Sequence, residues 1–473
     1  MPFAEAEEVD VIDAIVEALF ALPAPDEATR TMAILCLADA LACALAALVV
    51  PACGRLLGPV VPGTTVPKGA RVPGRAGGLD PIKAAFDTTV LIRWLGINDT
   101  SPSGGHPSDT IGTILAVADH ISRQRRAFGE PPLHMDAVLQ AMALAYEIHG
   151  ALIETSRRDR PHGEPDATAA VRIAATAVAV RLMGGGRAQA RAALSHALLE
   201  GSLPAPARRA AAGARRLWAE ADAGARGIML AWLAMRGETG VPKPAAARPR
   251  RSKARTAGPR PGLARPLGYF YLNRVTLRLL PCHASATTAV EAALRLSPWF
   301  RSVAPRVASV NVETHDTAMR RTVVGGTLLT PASRERSLPY TVATALLQGR
   351  LESSDYSDAT AANPALQALR ARIQVTENAA FTASHHDPGQ GTAASAVQIV
   401  LNDGTCSVRE KVAIPIGDAR RRQEATPLVH AKLLDLGAQV WTAGRRERVL
   451  ATLSDPERLQ AMAVDAFMDL ISG

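Results

Sequence analysis

The sequence predicts a mainly α protein with a second α+β domain, a large all-helical domain plus a smaller inserted α+β lid domain. Three observations carry this. Apolar residues recur at helical spacing from Val9 to Met235. The period then shortens to alternation at Val275, Leu277 and Leu279, at Val310 and Val312, and at Val397, Ile399 and Leu401. Helical spacing returns after Gly417. The boundaries that follow are 1–268 and 418–473 for the helical domain and 269–417 for the α+β domain. A chain of 473 residues, 48% hydrophobic, is long enough for more than one core.

Taken in order, Val9 to Leu22 is a helix ended by Pro23 and Pro25. Asp26 to Val50 is nearly all apolar, so it is a helix that must be buried. Pro51 to Gly78 is rich in Gly and Pro and reads as a long loop. Pro81 to Leu95 and Ile111 to Gln124 are helices on either side of a polar stretch. Met135 to Glu154, Ala167 to Met183, Arg187 to Leu199 and Leu217 to Met235 follow as helices, with Arg157 to Pro165 as a loop. In the second domain, Thr287 to Leu296 and Ser337 to Leu347 have helical spacing. The strand at Val397–Leu401 runs into Asn402-Asp403-Gly404, a hairpin signal, and a partner strand follows around Val408 to Ile414. Leu428 to the C-terminus is helical again.

Composition limits the chemistry. Five cysteines with no CxxC suggest a reducing compartment and no disulfide scaffold. They also lack the spacing of an iron–sulfur ligand set, so the expectation is chemistry without a metal or other cofactor. The acidic N-terminus has no signal-peptide character, and the apolar run Ala40 to Cys53 is too short for a membrane span. A cytoplasmic protein with no membrane attachment is expected. The formal charge of +9 comes mainly from one Pro/Ala/Gly-rich segment, 241–266, that cannot build a core. Without interleaved aromatics it reads as a flexible basic insert rather than a nucleic-acid site.

The chemically dense stretch is Arg93 to Asp109, R-W-L-G-I-N-D-T-S-P-S-G-G-H-P-S-D. Asp99, Thr100, His106, Ser108 and Asp109 fall within eleven residues between two helices. An imidazole beside carboxylates and hydroxyls is the material of general acid–base chemistry. The plain structural alternative is a helix start, with Ser108 and Asp109 capping the run from Ile111 and His106 on the surface.

N-D-T followed by G-H-P-S-D and an apolar helix resembles the signature loop of the MmgE/PrpD family, which includes dehydratases of 2-methylcitrate and decarboxylases of cis-aconitate. The segments P-A-C-G-R-L-L-G-P-V-V-P-G-T (51–64), A-Y-E-I-H-G (145–150), T-A-V-E-A-A (288–293), F-T-A-S-H-H-D-P (381–388) and P-I-G-D-A-R-R-R-Q (415–423) resemble its dehydratase branch in the same order. The resemblance spans about Cys36 to the C-terminus.

That resemblance implies dehydration of 2-methylcitrate to 2-methyl-cis-aconitate in propionate breakdown. The alternatives are a related reaction on citrate or cis-aconitate, or a paralogue that keeps the fold and catalyses nothing. It implies a small tricarboxylate as substrate and a homodimer formed through the helical domain. His106, Asp99, Thr100 and Tyr340 become the catalytic candidates, His106 and Tyr340 for proton transfer. Arg278, Arg216 and Ser108 become the substrate-binding candidates, with arginines where the family places lysines. The chain departs from the family elsewhere: Gly96 replaces a carboxylate, and Ala167 and Arg336 stand where histidines are expected. His162 lies near position 167 but out of register. His149 is expected as a core or cleft-wall residue. His385 and His386 are expected in a structural turn, on an extended segment that would point them apart rather than at a metal.

Overall fold

The computed structural model describes residues 10–159, 166–200, 214–241, 262–323, 326–387 and 389–473. His162 and most of the basic segment, 242–261, lie outside the described residues. The chain forms two compact units, one of Met1–Thr276 with Pro427–Gly473 and one of Leu277–Thr426.

The first unit is helical. Several of its helices start where an Asp side chain takes up orphan N–H groups. Asp10 accepts from Ile12 ahead of Val11–Ala21, and Asp26 accepts from Thr29 ahead of Glu27–Leu48. Asp80 caps Pro81–Arg93 and Asp166 caps Ala167–Leu182 in the same way. Glu27–Leu48 is long and apolar enough to cross a membrane, yet 89% of its most apolar window is buried inside the protein. It is a core helix, as its all-round apolar surface requires. Met135–Asp159 runs five residues beyond the predicted end, through part of the stretch read as a loop. The tail returns to this unit: Val464–Ile471 buries Val464, Phe467, Met468 and Ile471, and Arg123 of Ile111–Ala127 reaches Asp469.

Among the described residues this unit holds isolated bridges but no strand of a sheet. The alternation at Val275, Leu277 and Leu279, which the sequence places at the start of the α+β domain, forms no strand of the sheet. Thr276 instead makes a single antiparallel bridge, exchanging N–H···O bonds of 2.9 Å with Thr100. Leu277 donates to Gly417 at 2.9 Å, and the backbone turns away before Pro281. Alternation here marks buried side chains on an extended segment, without a neighbouring strand to pair.

The second unit is a mixed four-stranded sheet in the order β2-β1-β3-β4. β1 is Val307–Thr314, β2 Ile373–Glu377, β3 Ser395–Leu401 and β4 Glu410–Val412. β1 pairs parallel with β2 (Val310 opposite Ile373) and antiparallel with β3 (Val310 opposite Ile399). β3 and β4 form the hairpin signalled by Asn402-Asp403-Gly404, where Gly404 takes a left-handed φ of +82°. Helices Thr287–Val303 and Leu338–Gln348 supply Val290, Ala293, Leu296, Val342 and Leu346 to a core with Val310, Val312, Val397 and Ile399. β2 went unread because it is short and has no buried residue.

Candidate functional site

The signature stretch folds as a polar knot set on the Met135–Asp159 helix. Gly96 has φ +62°, a left-handed conformation that favours glycine over the carboxylate expected there. Gly104 and Gly105 are also left-handed, at +96° and +73°. They turn the chain so that Ser101 accepts from Gly104, donates to Gly105 and leads back to His106. His106 is extended, as a residue before proline must be, and Pro107–Thr110 forms a 3-10 turn ahead of the Ile111–Ala127 helix. Thr110, not Ser108 or Asp109, occupies the cap position of that helix.

The polar side chains converge. Asp99 is 1% exposed, and its Oδ1 accepts from the Ser108 hydroxyl at 2.6 Å and the Ser108 N–H at 3.2 Å. Asn98 donates to Ser108 Oγ at 2.9 Å and to Asp109 Oδ1 at 3.1 Å. His106 is half-buried, and its Nδ1 lies 2.5 Å from the Asp99 carbonyl oxygen. With Nδ1–H donating there, Nε2 becomes the basic nitrogen. The bond fixes the ring as well as the tautomer.

Burial sets the charges. It pushes the Asp99 carboxyl up to about 6, against the bonds from Ser108, with Tyr146 also favouring ionisation and Asp39 opposing it. Burial also drives Asp109 well above the ordinary carboxylate range. Arg93, 3.7 Å away, counters that push, and Glu220 and Asp99 reinforce it.

Helix Met135–Asp159 forms the floor. Tyr146, fully buried, faces Asp99. Ser103 donates to the Gly150 carbonyl at 3.0 Å. His149 lies beneath Gly105: a methyl on that glycine would come within 2.8 Å of the ring. The same methyl would touch Ala167 at 3.7 Å, so His149 and Ala167 meet under one loop residue. His149 is 0% exposed, both ring nitrogens lack a partner among the described residues, and burial pushes its pKa down to about 3.

The other candidates fall differently. Thr100 is tied by its backbone to Thr276. Ser108 is 1% exposed with its hydroxyl spent on Asp99 and Asn98, so it orders the loop rather than meeting a substrate. Tyr340 stands inside the core of the α+β unit, 0% exposed, and its hydroxyl donates to the Asp355 carbonyl at 2.7 Å. That arrangement makes it a packing residue, not a proton donor. Arg278 lies in the same unit, bonded to the Cys282 carbonyl and 3.3 Å from Glu335. Arg216 belongs to the 3-10 turn Ala214–Leu217, and its side chain lies outside the described residues. Arg336 is exposed and donates to the Arg321 carbonyl. His385 and His386 end the helix Ala379–His386 rather than an extended segment. His385 stacks on His315 with centroids 3.9 Å apart, and His386 bonds Asp316 at 2.9 Å. Among the described residues no group of three or more His, Cys, Asp and Glu is placed to hold a metal ion.

Sequence reading passed over Tyr146 and Lys432. Tyr146 had a signal: three residues before His149 it shares that residue's helix face. Lys432 had none, because its partners Asp39 and Ile97 are hundreds of residues away.

A helical unit carrying a Gly-turned histidine loop, with an α+β unit inserted before its tail, defines a class of protein. The chain belongs to the MmgE/PrpD family: residues 15–261 match the family's N-terminal domain and residues 280–456 its C-terminal domain. It is 40% identical over 445 residues to a 2-methylcitrate dehydratase of Cupriavidus necator, covering 92% of this chain and 91% of that one. It is 38% identical to the 2-methylcitrate dehydratase of Escherichia coli K12 over 453 residues, with the same coverage. A mitochondrial 2-methylcitrate dehydratase of Yarrowia lipolytica is 34% identical over 92% of this chain and 85% of its own length.

Proposed function

We propose that the protein is a hydro-lyase that dehydrates 2-methylcitrate to 2-methyl-cis-aconitate. The observation that carries this is the His106–Asp99–Ser108 knot, on a chain similar over nine-tenths of its length to 2-methylcitrate dehydratases. His106 Nε2 takes the proton alpha to a carboxylate. The electron pair left behind forms the C=C bond, and the hydroxyl on the adjacent carbon leaves as water, taking its proton from the imidazolium that His106 has become or from solvent. Asp99 holds the imidazole through its own carbonyl oxygen, and its buried carboxyl fixes Ser108 and the loop. An imidazole held in a fixed tautomer is suited to this proton abstraction.

Arg278 and Arg216 hold the substrate carboxylates. A planar guanidinium matches a carboxylate in bidentate fashion. Arg278→Ala is expected to raise KM about tenfold or more with a smaller change in kcat. A change confined to kcat would remove Arg278 from carboxylate binding.

The reading includes a homodimer formed through the helical unit, a cytoplasmic location, no metal requirement and no nucleic-acid or membrane partner. Sedimentation of the pure protein at micromolar concentration tests the dimer. Dialysis against a chelator, with activity unchanged, tests the metal requirement. The deciding experiment is turnover of 2-methylcitrate, citrate and cis-aconitate by pure protein. The departures at Gly96, Ala167 and Arg336 favour a related tricarboxylate as the second reading, and preference for citrate or cis-aconitate would establish it. No turnover on any of the three overturns both.

A further inference from the structure

Lys432 sits on the tail helix Arg422–Gly437. Its ammonium donates to Asp39 Oδ1 at 2.7 Å and to the Ile97 carbonyl at 3.0 Å, and lies 3.4 Å from Cys43 Sγ. Cys43 donates to the same Ile97 carbonyl at 3.4 Å. Asp39 and Cys43 are one turn apart on the core helix Glu27–Leu48, and Asp39 is 1% exposed. Three distant parts of the chain therefore meet at one carbonyl, two residues ahead of Asp99.

We infer that Lys432 is a positioning residue of the acid–base loop: it anchors the Ile97 carbonyl and cancels the Asp39 charge that otherwise acts on Asp99. The inference rests on the proposed function, in which the loop of Asp99 and His106 handles the protons. A buried carboxylate without a counter-charge raises the cost of ionising a second carboxylate nearby. Asp39 carries its charge beside Lys432, and that charge opposes ionisation of Asp99. Lys432 turns the Asp39 site from a net negative charge into a neutral pair.

Other groups surround Asp99 as well. Ser108 donates to it from the loop, and Tyr146 faces it from the floor helix, with Cys36 behind that phenol. Asp109 adds a second carboxyl, countered by Arg93 and opposed by Glu220. Cys43 stays a neutral thiol, pushed up to about 12 by burial.

The test uses the full chain labelled with carbon-13 at the aspartate carboxyls, with Asp99→Asn to assign the Asp99 signal. Lys432→Met is expected to move the Asp99 titration midpoint up by about one pH unit, and Asp39→Asn to move it down by a similar amount. Lys432→Met combined with Asp39→Asn restores it to near the wild-type midpoint. A merely structural role would not move the two single variants in opposite directions. If Lys432→Met alone fails to fold, Asp39→Asn and the charge-neutral double variant still carry the test. A midpoint that does not fall in the first, or is not restored in the second, overturns the inference.

Turnover of 2-methylcitrate by the same proteins is measured separately. Opposed shifts without wild-type turnover uphold the electrostatic role of Lys432 and overturn the proposed reaction. Turnover with unmoved midpoints does the reverse.

Discussion

The candidate residues of the helical unit and those of the α+β unit are alike in type and opposite in circumstance. In the helical unit, Asp99, Ser108, Asn98 and His106 bond chiefly to one another, and the knot they form is held at its edges by Gly96, Gly104 and Gly105. In the α+β unit, the Tyr340 hydroxyl goes instead to a core carbonyl, that of Asp355. A polar group spent on the backbone of its own core stabilises that core. Groups that fix each other's geometry in a loop can hold one of their number, here His106, in place for chemistry. Residue type alone does not distinguish the two cases; the identity of the partner does.

The strongest way to break this contrast is His106→Ala. Turnover is expected to fall roughly 10²–10⁴-fold, as for a positioned acid–base group, with the melting temperature nearly unchanged. Equal turnover in the variant would place the chemistry outside the knot.

A pH series sharpens the contrast next. Asp99 binds its proton more tightly folded, at about 6, than unfolded, at 3.8. The folded state therefore holds the extra proton between those values, and this group's contribution to stability falls as pH rises from about 4 to 6. A two-unit difference at about 1.4 kcal/mol per unit corresponds to roughly 3 kcal/mol. Urea unfolding of wild type and Asp99→Asn from pH 4 to 7 measures it. Identical pH profiles would mean that the Asp99 carboxyl is solvated after all.

His149→Leu is the third test. A buried imidazole with two unpartnered nitrogens costs stability, so the variant is expected to be about 1–3 kcal/mol more stable at pH 7. Because burial lowers the His149 pKa from 6.5 to about 3, wild type loses this group's contribution as pH falls through that window, and the variant does not. Destabilisation on substitution would show that the ring is hydrogen-bonded.

The smallest expected effect is Tyr340→Phe. It removes one hydrogen bond to Asp355, so about 1 kcal/mol of stability is expected to be lost, with turnover changed less than about twofold. A loss of turnover on the scale of His106→Ala would return Tyr340 to the proton-handling set.

What the sequence made legible follows chain distance. The loop could be read because Asp99, His106 and Ser108 are neighbours in sequence and sit between two strongly periodic helices. The sheet's β1, β3 and β4 were legible from alternation and a turn signal. β2 was missed because none of its five residues is buried. Val275 to Leu279 was misread because alternation reports burial, not pairing. Tyr340 was misassigned because a tyrosine looks the same in sequence whether its hydroxyl faces a substrate or a core carbonyl. Lys432 was invisible because its carboxylate partner is 393 residues away.

That separation has a consequence during synthesis. The helical unit is built from segments on both sides of the α+β unit, and its segment Pro427–Gly473 leaves the ribosome after the α+β unit has done so. The α+β unit is complete before then and can fold while the helical unit still waits for Lys432 and for the Val464–Ile471 helix. Until they arrive, Asp39 has no counter-ion from the tail, and the Glu27–Leu48 helix carries an apolar surface with part of its cover missing. A chain cut before residue 432 is expected to remain in that state, and its solubility against that of the full chain on expression checks this.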